Sequence, residues 1–365
     1  MTTAEAVRNA LAEVTDPDIG KPLHTTGILG DVSVDGDVAT VELYQPVAEL
    51  ESTPELQQRV VDAVGRLPDI GTVRVRIGVM SDEQRTALAD GLHHDNPFRK
   101  PDSRTTVIGV ASGKGGVGKS TVATNLAATL QTMGHRVGIL DADIWGFSIP
   151  RMFGLRNRRP VAFSGTILPL RSRGVKVISI GFFLEREEEA VVWRGPMLHK
   201  ALEQFLTDVV WGDDLEYLVI DLPPGTGDIS ISLATFLPGM GIAVVTTPQP
   251  VAQKVAERAA NMSDKVKLKV LGVIENMSGL ICEHCGESTP IFGSGGGGDL
   301  AEALGVPLLG QIPLLPSLRE ASDAGQPFVW THPDHPVTET YRKVAEQLAH
   351  HRPRRKLPVM QIGGR

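Results

Sequence analysis

The chain has 365 residues, a formal net charge of −7, 41% hydrophobic residues and only 5% aromatics. That length predicts two domains and that hydrophobic share a real core, while the acidic balance argues against a general nucleic-acid surface. No apolar run approaches the roughly 18 residues needed to span a bilayer, and the start lacks both the basic and the apolar part of a signal peptide, so a cytoplasmic protein is expected.

Thr2 with Glu5 predicts a capping box that opens a helix to about Val14, stopped by the turn cluster Asp16-Pro17-Asp18-Ile19-Gly20. Val32–Val34 and Val38–Leu43 flank Asp35-Gly36-Asp37 and read as a β-hairpin. Pro54 in a first turn predicts a helix from Thr53 to about Arg66, and Gly71–Ile77 alternates as a strand. These elements predict a small α/β domain over residues 1–80. Residues 81–104 are polar, end in Asn96-Pro97-Phe98-Arg99-Lys100-Pro101-Asp102, and read as a linker.

From residue 105 to 351 short Val/Ile/Leu runs alternate with helical segments. Strands are expected at 106–111, 136–141, 175–180, 217–221, 242–246 and 269–275, and helices near 118–133, 196–211, 250–262 and 337–350. Runs without polar alternation suit parallel strands buried on both faces. The fold class is therefore α/β: a doubly wound, mostly parallel sheet preceded by the small domain, with ligands at the carboxyl ends of the strands. The basic, proline-broken stretch 352–365 reads as a disordered tail.

The first strand of this domain runs into Gly113-Lys114-Gly115-Gly116-Val117-Gly118-Lys119-Ser120-Thr121. The spacing is G-x-x-x-x-G-K-[ST], the phosphate-binding loop of P-loop NTPases. Glycines let consecutive N–H groups turn inward on phosphate oxygens, and the following helix adds its positive dipole end. Lys119 is expected to reach the β/γ-phosphates of ATP, and the Ser120 hydroxyl to ligate Mg²⁺.

Other strand ends carry matching chemistry. Asp221, before Leu222-Pro223-Pro224-Gly225-Thr226-Gly227-Asp228, is placed to hold Mg²⁺ directly or through water, with the Gly225 N–H as a γ-phosphate sensor. Asp141 and Asp143 sit two residues apart at another strand end; Asp143 is the candidate for orienting the attacking water and Asp141 for outer-shell Mg²⁺ contact, with Asp228 as the rival water-positioning group. Asn276 ends a later strand, and its amide offers a donor and an acceptor suited to an adenine edge.

The only two cysteines, Cys282 and Cys285, form a C-x-x-C turn just beyond. Four readings stand side by side: a [4Fe–4S] cluster shared by two chains, zinc held with His284 or water, a redox dithiol, or ordinary structural cysteines. The lack of βαβ context counts against the dithiol, and the position of His284 inside the short turn counts against zinc. Trp193 and Met197 read as packing at a helix entry, with Arg194 near a dimer face; Glu185–Glu189 reads as a solvated loop. The glycines from Gly293 to Gly298 read as a flexible run.

The loop Lys114-Gly115-Gly116-Val117-Gly118-Lys119-Ser120-Thr121 resembles the deviant Walker A loop of the MinD, ParA, ArsA and nitrogenase-iron-protein group. The resemblance implies that Lys114 reaches the partner subunit's phosphates in an ATP-dependent homodimer, that Asn276 reads the base, and that Gly310-Gln311-Ile312-Pro313 packs on it. Together with Asp-Ala-Asp-Ile-Trp-Gly, Trp193-Arg194-Gly195-Pro196-Met197, Asp-Leu-Pro-Pro-Gly-Thr-Gly-Asp, Glu-Asn-Met-Ser-Gly and the C-x-x-C, residues 105–350 resemble the Mrp/ApbC family of iron–sulfur cluster carriers. That resemblance implies ATP, Mg²⁺ and a [4Fe–4S] cluster held by Cys282 and Cys285 of two chains, slow ATP hydrolysis, and apoprotein clients and assembly scaffolds as partners. Residues 1–80 resemble the small iron–sulfur-assembly domain often fused ahead of such ATPases; having no cysteine, they are expected to contact targets or act as a scaffold. The rival is a MinD/ParA-type positioning or partition switch. It needs an amphipathic membrane helix or a basic DNA face, neither of which is evident, so no membrane and no nucleic-acid partner is expected.

Overall fold

The computed structural model describes the chain apart from residues 1, 49, 93–95, 101–102, 144–145, 185–194, 225–227, 250–267, 283 and 352–365. The expected helix 250–262, Gly225, the Asp228 side chain, Trp193, Arg194, Glu185–Glu189 and the tail 352–365 therefore lie outside the described residues. The chain divides into two compact units: residues 1–95 with 159–171 and 206–214, and residues 96–158 with 172–205 and 215–365.

In the first unit, β1 (Leu29–Asp35) and β2 (Val38–Gln45) form the expected antiparallel hairpin, turning at Gly36 with φ +60°. Helix α2 (Thr53–Val64) then crosses over to β3 (Thr72–Val79), which lies parallel to β2. Alternation along β2 buries Ala39, Val41 and Leu43 against Leu56, Val60 and Val64 of α2 and Val7 and Leu11 at the start of the chain. Helix α1 (Ala4–Ala10) is shorter than expected, and its cap is Thr3, whose hydroxyl accepts from the Ala6 N–H at 3.2 Å. Thr2 instead donates to the Pro68 carbonyl. The turn cluster behaves as read: Asp16 Oδ1 accepts from the N–H groups of Asp18 (2.9 Å) and Ile19 (2.8 Å), and Gly20 has φ +74°.

Two expectations about organisation are corrected here. The 81–104 stretch is not linker throughout, because α3 (Asp82–Leu92) buries Leu88 and Ala89 in the first unit's core. Nor does 105–351 stay within one unit. The hairpin of β6 (Val161–Phe163) and β7 (Thr166–Leu168), with Val209 bridging Ile167, adds Phe163, Leu168 and Val210 to that same core. Arg171 completes this unit's polar network, 3.4 Å from Asp18 and 3.1 Å from Glu55, while Ser52 donates to Asp18.

The second unit is built on a sheet in the order β13-β12-β11-β4-β10-β5-β9, with β14 also paired to β12. Its strands are β4 (Thr106–Ser112), β5 (Val137–Asp141), β9 (Val175–Ser179), β10 (Tyr217–Asp221), β11 (Gly241–Thr246), β12 (Lys269–Ile281), β13 (Ser288–Thr289) and β14 (Leu308–Leu314), and the short β8 (Leu170–Ser172) falls where the chain passes from the first unit to the second. β4, β5, β9, β10 and β11 are buried along their whole length and pair in parallel, as runs without polar alternation require. Helix α4 (Lys119–Thr132) follows β4 and is itself almost wholly buried. α5 (Ile149–Met152), α6 (Gly195–Thr207) and α7 (Asp228–Phe236) complete the first half of the unit.

The glycine run is a third correction. Gly295 takes φ +88° and caps α8 (Gly296–Leu304), so these residues open a helix. Close approach explains the composition: a Cβ on Gly296 would stand 2.5 Å from the Pro248 carbonyl, and one on Gly297 2.6 Å from Glu275 Cβ. α9 (Pro316–Asp323), α10 (Phe328–Thr331) and α11 (Pro336–Ala349) finish the unit.

Candidate nucleotide site and cysteine turn

β10 lies between β4 and β5, in a register that sets Asp221 opposite Val110 on one side and Asp141 on the other. Three strand ends thus converge where β4 turns into α4. Gly116 (φ +76°) and Gly118 (φ +78°) adopt the left-handed backbone that a loop curling around an anion needs. A Cβ on Gly115 or Gly116 would meet nothing within 4 Å, and both residues are exposed, so this part of the loop stands open to solvent.

Lys119 is buried, with Nζ 2.5 Å from Asp221 Oδ1 and 3.3 Å from Asp143 Oδ2. The Ser120 hydroxyl donates to Asp221 Oδ2 at 2.5 Å. Asp141 accepts from the Asp143 N–H (3.2 Å) and from the Ser179 hydroxyl (3.1 Å). Burial, then the nearby Asp221 charge, pushes the Asp141 carboxyl well above the usual carboxylate range, against the opposing pull of Lys119. Burial likewise raises Asp221, again opposed by Lys119.

Asp143 Oδ1 is buried without a hydrogen-bond partner. An orphaned carboxylate oxygen beside Ser120 and Asp221 gives an all-oxygen donor set, which fits Mg²⁺ and its bound waters. The structure therefore brings together Lys119, Ser120, Asp141, Asp143 and Asp221, five residues singled out from the sequence.

The remaining loop contacts come from other strands. Lys114 Nζ donates to Gln249 Oε1 at 2.6 Å, within the same chain. Asn276 Nδ2 donates to the Val117 carbonyl at 2.9 Å, which ties β12 to the loop. Next to it, the buried Glu275 accepts from the Gly297 N–H (2.6 Å) and from Gln311 Nε2 (2.7 Å), joining the α8 start and β14 to the same strand. Thr121 lies in the first turn of α4.

β12 continues past Asn276 to Ile281 and pairs antiparallel with β13, so Cys282 and Cys285 occupy a hairpin turn. The Cys282 N–H donates to the Glu287 carbonyl (2.9 Å), and the Gly286 N–H donates back to the Cys282 carbonyl (2.8 Å). Cys285 is exposed and Cys282 half-buried. Among the described residues no group of three or more His, Cys, Asp or Glu side chains is placed to hold a metal ion.

A phosphate loop in one unit, a thiol pair on the same sheet and a small α/β unit ahead of them match known families. The family model described as the NUBPL iron-transfer P-loop NTPase matches residues 103–349, and that described as an iron–sulfur cluster assembly protein matches residues 4–77. The chain belongs to the iron-transfer P-loop NTPase family. Curated members of this iron–sulfur carrier family are similar along nearly the whole chain. The iron–sulfur cluster carrier protein of Mycobacterium leprae is 47% identical over 98% of this chain and 95% of its own length. That of Escherichia coli K12 is 41% identical over 94% and 90%. Among solved structures, the Archaeoglobus fulgidus nucleotide-binding protein, described as a complex with ADP with Co found by PIXE, is 37% identical. It covers 65% of this chain and 93% of its own, with a TM-score of 0.57.

Within this iron-transfer NTPase, several site contacts escaped the sequence reading. Ser179 holds Asp141, Gln249 holds Lys114, and Glu275 anchors Gly297 and Gln311. Ser179 lies at the end of a predicted strand, at the same sheet end as Asp141, and Glu275 ends another and opens Glu-Asn-Met-Ser-Gly, which are usable signals; Gln249 belongs to no motif. Among the described residues no helix is long and apolar enough to cross a membrane.

Proposed function

We propose that this P-loop NTPase carries a [4Fe–4S] cluster between the two subunits of a homodimer and delivers it to apoproteins, with slow ATP hydrolysis acting as a conformational switch. The observation that carries this reading is that the chain's only two thiols share one hairpin turn, on the strand whose Asn276 amide grips the phosphate loop. Two thiolates are half the usual ligand set of such a cluster, so a second copy supplies the other half. Residues 1–80 would act in target or scaffold contact, and residues 105–351 would supply the ATPase function.

In this reading the N–H groups of Gly113, Lys114, Gly115, Gly116, Val117, Gly118, Lys119, Ser120 and Thr121 cradle the phosphates of ATP, with Lys119 neutralising the β/γ charge. The ammonium that ATP would draw forward is the one now held by Asp221 and Asp143. Ser120 and Asp221, with Asp141 behind them, would hold Mg²⁺, which when bound neutralises charge on the phosphates. Asp143, with one oxygen unpartnered, orients the water for attack. Lys114 leaves Gln249 for the partner's phosphates, and Asn276 stands beside the base. Cluster retention then depends on how nucleotide sets the angle between subunits.

The test is anaerobic reconstitution of the full chain with iron and sulfide, followed by metal analysis and native mass. Four iron and four sulfide per dimer, lost in Cys282→Ala with ATP binding intact, is the expected result. A monomer that retains a complete cluster, or one zinc without sulfide, refutes the proposal.

A further inference from the structure

β12 is not a plain strand between the phosphate loop and the cysteines. Asn276 pairs with Ile312 of β14 and Leu280 with Leu314, so β12 takes four steps where its neighbour takes two. The extra length is a bulge over Met277, Ser278 and Gly279. Met277 enters it with φ +58°, the left-handed region that a side chain other than Gly, Asn or Asp rarely occupies.

Both ends of the bulge are held tightly. At the loop end, Asn276 binds the Val117 carbonyl, and a Cβ on Gly118 would collide with that amide and come within 3.7 Å of Met277 Cε. At the other end, a Cβ on Gly279 would stand 2.7 Å from Ser288 Oγ, so this backbone is pressed onto β13. β13 pairs with Leu280 and Ile281, and Cys282 follows at once. Five residues, 277–281, therefore join the Asn276 clamp to the first thiol, and one of them holds a conformation its side chain disfavours.

The geometry points to Met277 as a positioning residue that relays the state of the phosphate loop to the cysteine turn. A strained backbone held by contacts on both sides has a nearby relaxed alternative, and a shift of the Val117 carbonyl on nucleotide binding acts on the clamp that keeps it strained. Relaxation at Met277 re-aims Gly279 against Ser288 and with it the Cys282–Cys285 turn. Coupling by this route needs no added metal or cofactor in the relay. The inference rests on the carrier reading for its purpose, but the relay is measurable without a cluster.

The experiment follows alkylation of the reduced, cluster-free full-length protein by iodoacetamide, read by intact mass with and without Mg²⁺ and a non-hydrolysable ATP analogue. Because the chain has only two cysteines, Cys285→Ser leaves the Cys282 rate as a single readout. In that background nucleotide should change the Cys282 rate about fivefold or more, the low end of ordinary coupling between sites. Met277→Gly removes the strain and should bind the analogue with unchanged affinity while losing the rate change. Met277→Ala keeps the strain and should retain it. Met277→Asn, which tolerates the left-handed region, should fall between and serves if the glycine variant does not fold.

A Cys282 rate indifferent to nucleotide overturns the relay, and so does full retention in Met277→Gly, the result expected if dimerisation merely covers the thiol. Loss in Met277→Ala with retention in Met277→Gly would assign the effect to side-chain packing and also overturn it. Failure of reconstitution with the relay intact would instead count against the cluster reading alone.

Discussion

Lys119 and Asp221 form a buried ion pair at 2.5 Å, in which the phosphate-loop lysine is neutralised by the carboxylate at the end of the neighbouring strand. The pair compensates an ammonium buried at the strand ends, and under the proposed function it is this lysine that an incoming phosphate would draw away. It also links nucleotide binding to stability, since removing one partner strands the other in the core.

Lys119→Ala should abolish nucleotide binding and also destabilise the nucleotide-free protein by about 3–5 kcal/mol, the range for breaking a buried pair from one side. Adding Asp221→Asn should recover much of that loss without restoring binding. Calorimetric titration with ATP and urea unfolding of both variants check the two halves separately; unchanged stability in Lys119→Ala would contradict the pairing.

Asp141→Asn should stabilise the nucleotide-free protein. Asp141 is fully buried, its charged form is opposed first by burial and then by Asp221, and the asparagine carbonyl still accepts from the Asp143 N–H while its NH2 donates to the Ser179 oxygen in place of the bond that Asp141 Oδ2 accepts. A gain of about 1–4 kcal/mol is expected from removing a poorly compensated buried charge. ATPase turnover should fall in the same variant. A lower melting temperature than wild type would show that the carboxylate is better compensated than its surroundings imply.

Asn276→Asp replaces a donor by an acceptor facing the Val117 carbonyl, whereas Asn276→Ala merely leaves that carbonyl without its partner. Both should weaken nucleotide binding, the aspartate more, with a cost of about 1–3 kcal/mol for a buried group left unsatisfied. A larger dissociation constant for the alanine variant than for the aspartate variant would reverse this.

A pH-dependent term is expected at the start of α11. His335 Nδ1 accepts from the Val337 N–H at 3.1 Å, a capping bond that requires the unprotonated ring nitrogen. Burial, with His332 adding to it, holds the His335 pKa below its ordinary value. The sign follows: the stabilisation is complete above the unfolded value of about 6.5 and is lost as pH falls through the lower folded value. His335→Asn keeps a capping oxygen and should flatten the stability profile between pH 7 and 5, while His335→Ala should cost about 1 kcal/mol at pH 7.5. Urea midpoints across that range decide it.

Much of the site was legible because its chemistry sits at strand ends. Lys119, Ser120, Asp141, Asp143 and Asp221 were each predicted from position after an apolar run, and the parallel register then brings them together. What was missed depends on partners distant in sequence. The glycines at 295–297 read as flexible because composition alone does not reveal that Pro248 and Glu275 crowd them from across the fold. α3 read as linker because its surface is polar and only Leu88 and Ala89 turn inward. The Met277 bulge has no signature at all, since methionine carries no preference for that backbone.

The composite make-up of the first unit has a practical consequence for anyone dissecting this protein. The polypeptide passes from one unit to the other at 95/96, 158/159, 171/172, 205/206 and 214/215, so no single scissor cut separates them. A gene fragment ending near residue 95 would leave its apolar interior without Phe163, Leu168 and Val210, and the complementary fragment would carry those three residues with nothing to bury them. Sticky, poorly behaved halves would then report on where the knife fell, and say nothing about what either half does in the intact chain.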